Sequence, residues 1–340
     1  MTNKLPNRTF SGSPRAISFL LILTVFLSWN TISAQEEADP AGTDKKPAKN
    51  STSEEDQKQA QANRQLANKT LKEARKRIES FDSLRAEIVE TVLLGSRRYQ
   101  AKGEYVQARG NKVRLSFRVS IKGADGKPLE GSLMQVSNGE VMHSSYQIGE
   151  DLQVSRRDVV QIMDAIEKYP YMGIDLVKAR LGLGGLPALL VSLQTSIAFD
   201  DYKIETLNGT KFIRIAGEWT PQLQARMRPP GSPKDTPLPN YIPDRVHVYF
   251  DQESYFPRRL LYLKKVGKGF QPMLTLDFVN VQQNVAVSAD DFLFYPPEGA
   301  VSQDITQSIV DGIIQAYNRG QEKTDSDSAN SPSEKKNSGK

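Results

Sequence analysis

The chain contains no cysteine. That absence excludes disulfides, thiolate nucleophiles and cysteine-ligated metals together. It does not report a redox compartment, because a domain of this size needs no covalent staples. Histidine is nearly absent as well, with His143 and His247 the only two in 340 residues. Two lone histidines make neither a catalytic triad nor a zinc site without carboxylates that the sequence does not mark. Both lie on predicted strands, flanked by apolar residues, where a packed or surface role is the simpler reading. Charge of one sign is scarce too: the net charge is +5 with charged residues at 25%. A mild, scattered basic excess is a poor footprint for nucleic acid.

Motifs that resemble chemistry dissolve on inspection. Asp200-Asp201 and Asp290-Asp291 sit at element ends, where carboxylates cap and turn the chain, and no acid–base partner is visible beside them. Arg156-Arg157 and Arg258-Arg259 stand where elements begin, which suits solvated or ion-paired roles. The glycines of Gly182 to Pro187 follow a helix rather than a strand and lack the spacing of either phosphate fingerprint. Accordingly no catalytic residue, metal site or cofactor is expected, and the chain does not read as an enzyme.

Long apolar runs are limited at the N-terminus to Ala16 to Trp29. Lys4, Arg8 and Arg15 precede that run, and Ile32-Ser33-Ala34 offers a cleavage site after it, the three parts of an export signal. The run is shorter than the roughly 20 residues of a spanning helix. Residues 1–34 are therefore expected to be a signal peptide, with an uncleaved inner-membrane anchor as the alternative. No cysteine follows, so the chain is not itself a lipoprotein. Residues 35–60 are polar and charged and read as a disordered linker. Residues 61–318 are expected to form the domain, and 319–340 a disordered polar tail.

Within the domain, Leu66, Leu71, Ala74, Ile78, Phe81, Leu84 and Ile88 recur at helical spacing and predict one long amphipathic helix. Antiparallel strands follow. Val113, Leu115, Phe117 and Val119 alternate with polar residues over Lys112 to Ile121, and Asn138-Gly139 marks a hairpin. Helices are expected over Ser155 to Tyr169, Met172 to Leu181 and Ala188 to Ala198, the last apolar almost all round. A hairpin around Asn208-Gly209 comes next, then a proline-rich loop at 229–243. Three strands in a meander follow, with Leu274, Leu276 and Phe278 on one face of the third. A closing helix spans Ile305 to Tyr317.

Three stretches in this order resemble the LolA/LolB-type lipoprotein carriers. Lys112 to Phe117 looks like a family strand whose arginine helps hold the lid, with Leu115 standing where the family has tryptophan. Val136 to Met142, followed by Tyr146 and Leu152-Gln153-Val154, looks like its central hairpin. Phe250 to Val301 looks like its C-terminal half, ending in Phe292, Phe294, Pro296, Pro297 and Gly299. The helical region Ser155 to Ala198 is longer and more apolar than the carriers' lid helices, and the proline loop looks inserted. The resemblance implies an α+β fold, an incompletely closed antiparallel half-barrel with helices over its concave face. It also implies a bacterial periplasmic or cell-envelope location and an acyl chain or other apolar ligand in the groove. Val113, Leu115, Phe117, Leu189, Leu193 and Leu276 are the expected lining, with Arg114 a hydrogen-bonding latch. The expected partners are a lipid or acylated protein, peripheral membrane contact, an envelope protein, and no nucleic acid. The alternative is an envelope interaction domain whose groove is filled by its own side chains.

Overall fold

Period-two alternation dominates the chain, and it begins earlier than helical spacing suggests. The computed structural model describes residues 54–94, 97–122, 128–171 and 173–329. The expected signal segment, the first part of the expected linker, the end of the expected tail and the expected turn at 123–126 lie outside the described residues. Helix α1 spans Glu54–Ser80, starting seven residues before the expected Gln61. Its buried stripe is Ala67, Thr70, Leu71, Ala74 and Ile78, whereas Leu66 is exposed. Strand β1 (Ser83–Leu94) then takes Leu84 and Ile88 away from the predicted helix. A spacing of four fits both periods, and the intervening buried Ala86 decides for the strand.

Strands β2 (Arg97–Ala108), β3 (Lys112–Lys122), β4 (Pro128–Asn138), β5 (Val141–Ile148) and β6 (Asp151–Asp158) follow as an antiparallel run. Ser155 is not a helix cap but part of β6. Helix α2 (Val159–Lys168) is capped instead by Asp158, whose carboxylate accepts from the Gln161 N–H. Helices α3 (Ile174–Arg180) and α4 (Gly185–Ser196) come next. Strands β7 (Ile197–Leu207) and β8 (Thr210–Trp219) turn at Asn208-Gly209, both with positive φ, as a two-residue hairpin requires. After α5 (Pro221–Met227) come β9 (Arg245–Asp251), β10 (Pro257–Val266) and β11 (Gly269–Gln283). The short β12 (Ser302–Asp304) pairs parallel to β6, and α6 (Thr306–Ala329) runs past the expected end of the domain.

All strands join one sheet in the order β12-β6-β5-β4-β3-β2-β1-β11-β10-β9-β8-β7. Its ends, β12 and β7, do not meet, so the barrel is open. Helices α1 and α4 pack on each other, and both contact β7. Their apolar side chains and the inward residues of the sheet form the main core. A second, smaller core joins α2, α3 and α6 to Met142 of β5. Arg157 is buried beside it, donating to the Leu181 carbonyl at 2.8 Å and to Ser144 Oγ at 3.2 Å, and so fixes the end of α3 to β6. The proline-rich loop is strapped down rather than free: Lys264 Nζ donates to the carbonyls of Leu238, Pro239 and Ile242, and Trp219 Nε1 to that of Pro243.

The outer face of the sheet carries several ion pairs. Arg214, only 6% exposed, donates to Asp201 at 3.0 Å and Glu205 at 2.6 Å. His247 faces the same network. Burial, then the charges of Arg214 and Arg245, push its pKa down to about 4 against the opposing Asp201 and Glu205. A depressed folded pKa means that the unfolded chain binds this proton more tightly. The contribution is therefore whole above about pH 6.5 and lost as pH falls through 4, on the order of 2 kcal/mol given partial solvent access. Urea unfolding at stepped pH should show this loss in the native chain, and His247→Gln should be visibly flatter across the window. Equal slopes would mean that His247 titrates alike in both states.

Candidate functional site

Inward residues of adjacent strands stack in rows across the centre of the sheet. One row runs Phe117, Gly103, Ile88 and Phe278; the next runs Val119, Ala101, Glu90, Leu276 and Leu260; a third runs Val92, Leu274 and Tyr262. Small residues on β2 leave a depression in the sheet that larger neighbours border. Above it lies α4, apolar on nearly every side because both its faces are covered.

Between sheet and helix is a cavity of about 40 Å³. Ile88, Leu115, Phe117, Leu274, Leu276 and Phe278 line it from the sheet with Leu260, and Gly185, Leu186 and Leu189 from α4. Its polar groups come from Glu90, Tyr105 and Tyr262. The other flank of α4, through Pro187, Ala188 and Val191, borders a more polar crevice of about 270 Å³ walled by α1 and α3 residues such as Arg75, Glu79, Asp175 and Lys178. Helix α4 is thus a wedge between an apolar space and a wet one.

The N-terminus of that wedge is fastened to β2. The Leu186 N–H donates to Tyr105 Oη at 2.9 Å and to Gln107 Oε1 at 3.3 Å, and the Tyr105 hydroxyl donates to Gln107. Tyr105 is fully enclosed, and burial pushes its phenol well above the usual range. The fit needs glycine at 185. A Cβ there would stand 2.2 Å from Tyr105 Oη, and the backbone already has φ +58°. Gly184, at φ +91°, precedes it, so the chain enters α4 through two left-handed residues.

Of the residues expected to line the groove, Leu115, Phe117, Leu189 and Leu276 border the cavity. Val113 borders the crevice on the far side of α4. Leu193 is buried in the main core, outside the cavity wall. Arg114 points to the opposite face of the sheet. Its guanidinium donates to the carbonyls of Leu293 at 3.3 Å and Asp291 at 3.5 Å, so it fastens the segment after β11, while Tyr105 and Gln107 hold α4. The reason is the pleat: a neighbour of Leu115 cannot share its face. Glu90, Tyr105 and Tyr262 were not anticipated. Glu90 continues the inward series Ala86, Ile88, Glu90, which is visible only once β1 is read as a strand.

Among the described residues no cluster of histidine, aspartate and glutamate could hold a metal ion, and no helix is long and apolar enough to cross a membrane. No family model and no curated protein matches the chain by sequence. Similar solved structures include the lipoprotein LppX of Mycobacterium tuberculosis, at 12% identity and a TM-score of 0.31, over 66% of this chain and 99% of that one. LprF from Mycobacterium bovis is similar at 12% identity and 0.33, over 66% and 96%. A LolA superfamily protein from Nitrosomonas europaea is similar at 7% identity and 0.25, over 67% and 97%. The sheet order and the helices packed on its inner face are, in themselves, those of an open, mostly antiparallel half-barrel with helices over its concave face.

Proposed function

We propose that this chain is an exported, non-catalytic binding protein that takes an acyl chain or another apolar ligand between its sheet and α4. The observation that supports this is the apolar cavity under a wedge helix that enters through two left-handed glycines. The space of about 40 Å³ is that of about three waters. A long acyl chain therefore enters only as α4 lifts, carrying Leu186 and Leu189 out of the groove and joining the cavity to the crevice beside it. The cargo is a lipid or an acylated protein, delivered in the bacterial envelope by a donor at a membrane surface or by an envelope protein.

The rival reading is an interaction domain whose groove is filled by Leu186 and Leu189, and the smallness of the cavity favours it. Native mass spectrometry with lipid extraction, on protein purified from an exporting host, separates the two. The carrier reading expects a stoichiometric apolar ligand, or uptake of an added fluorescent lipid. It also expects at least a tenfold loss of binding in Leu189→Trp, roughly the penalty of overpacking a filled site. An empty, stable protein that ignores added lipid would leave the interaction domain.

A further inference from the structure

The hairpin that joins β10 to β11 overhangs the sheet. The register of β9 with β10 ends at Leu263, and that of β1 with β11 ends at Leu274. Beyond those points the ladder runs on between β10 and β11 themselves, Lys264 opposite Gln271, Lys265 opposite Phe270 and Val266 opposite Gly269. A Cβ built on Gly267 or Gly269 would meet nothing within 4 Å, so the tip stands in open space. Its base is braced. Lys264 Nζ donates to three carbonyls of the proline-rich loop and to Asp244, whose carboxylate also accepts from the Lys265 N–H.

What this arm presents is one-sided. Val266 is 50% exposed and Phe270 44%, and Tyr241, in the loop that braces the arm, is 52% exposed. Large apolar side chains gathered at a projecting tip do nothing for the core and mark a contact surface. Lys264 to Gln271 holds three lysines and no acidic residue. Lys264 is paired with Asp244, whereas Lys265 and Lys268 enter no ion pair among the described residues. The Asn208-Gly209 hairpin, at the opposite end of the sheet, also exposes Leu207, but there Glu205 lies between the lysines. Position matters as well. Tyr262 and Leu274 end the cavity wall on these two strands. Val266 lies four residues past Tyr262, and Phe270 four before Leu274, about 13 Å of strand.

We infer that the β10–β11 arm docks on the anionic surface of a lipid bilayer. Val266 and Phe270 enter among the head groups, and Lys265 and Lys268 meet the lipid phosphates. Docking itself stands on the arm; its use, to set the end of the groove over a source of lipid, rests on the reading of the groove as a lipid site.

The test is co-sedimentation of the exported chain with vesicles of phosphatidylcholine, alone or with about a third phosphatidylglycerol. The native protein should bind the anionic vesicles at least about tenfold tighter, since each lysine at such a surface contributes about fivefold. That preference should fade in about 0.5 M salt. Lys265→Gln with Lys268→Gln should abolish the preference, and Val266→Ser with Phe270→Ser should weaken binding to anionic vesicles at least about tenfold. Leu207→Ser should leave binding unchanged. All five side chains are exposed, so thermal midpoints should stay native. Absence of binding to either vesicle, or binding indifferent to the arm substitutions, would overturn the inference. So would a native dimer that Val266→Ser with Phe270→Ser splits, which makes a second copy the occupant of the tip. Lipid extraction separates this result from the fate of the groove. A chain that docks but never holds lipid keeps the arm and loses the groove reading; a chain that holds lipid but ignores vesicles does the reverse.

Discussion

Phe256→Ala is expected to cost the domain about 3–5 kcal/mol and to lower its thermal midpoint by roughly 10 °C. The side chain is wholly buried. Its ring meets that of Phe278 edge-on at 5.9 Å, with the Arg258 guanidinium over it at 5.6 Å. The turn before it is built to hold it there. The Asp251 carboxylate accepts from the N–H groups of Glu253 and Ser254 and from the Ser254 hydroxyl, and the Asp251 N–H donates to the Phe256 carbonyl. The ring therefore sits in a place the backbone has fixed, and its removal leaves a hole that cannot easily collapse. Phe278, which lines the groove, would lose one wall of its support. Urea denaturation of the variant measures the cost directly, and a loss below about 1 kcal/mol would mean that the site repacks freely.

Gly103→Val tests the floor of the groove, and here two physical arguments give opposite signs. Strand propensity favours the substitution, since valine suits a strand interior and glycine weakens it. Geometry opposes it. A Cβ at 103 would stand 2.1 Å from the Ser116 carbonyl oxygen on the neighbouring strand and 2.8 Å from the Phe117 ring. The carbonyl belongs to the paired backbone and has nowhere to go; the ring yields only by moving into the cavity. We expect destabilisation of about 3 kcal/mol or more, because overpacking and broken pairing add. Reduced uptake of apolar probe should accompany it. A stabilised variant would show that propensity outweighs the close approach of β2 and β3.

Much of this architecture is legible in the sequence, and the parts that are not have identifiable reasons. Val113, Leu115, Phe117 and Val119 alternate cleanly and lie inward as expected. The same holds for Val246, Val248 and Phe250 of β9 and for Leu274 and Phe278 of β11. Asn208-Gly209 marks a real turn because both residues take the positive φ found there, and Asn138-Gly139 does so with positive φ at Gly139 alone, the Asn138 side-chain oxygen accepting from the N–H groups of Glu140 and Val141. The start of β1 was hidden by Leu84 and Ile88, whose even spacing also satisfies a helix. Strand β6 was hidden by its polar composition: Ser155, Arg156 and Arg157 read as a helix start, yet Arg157 turns inward to bind a backbone carbonyl. The site was harder still. That α4 and the meander approach each other follows from packing, but which of their residues share a cavity follows from register across β2, β1 and β11. Register depends on pairings between segments nearly two hundred residues apart, and no local pattern encodes them. Glu90 shows the consequence, since an acidic residue among threonine and valine reads as surface until the pleat turns it inward.

The central claim is that α4 is a movable wedge over an apolar site. The absence of native cysteine permits a direct measurement. Gln194, exposed on α4, and Lys102, exposed on the outer face of β2, can each be replaced by cysteine and spin-labelled without background. Pulsed electron–electron distances between the two labels, taken before and after loading with 1-hexadecanol, report the position of the helix against the sheet. A longer or broader distribution on loading, reversed when the alcohol is extracted, is the expected result. An unchanged distribution in protein that mass spectrometry shows to hold the alcohol would contradict it, placing the ligand elsewhere and leaving α4 a fixed part of the core.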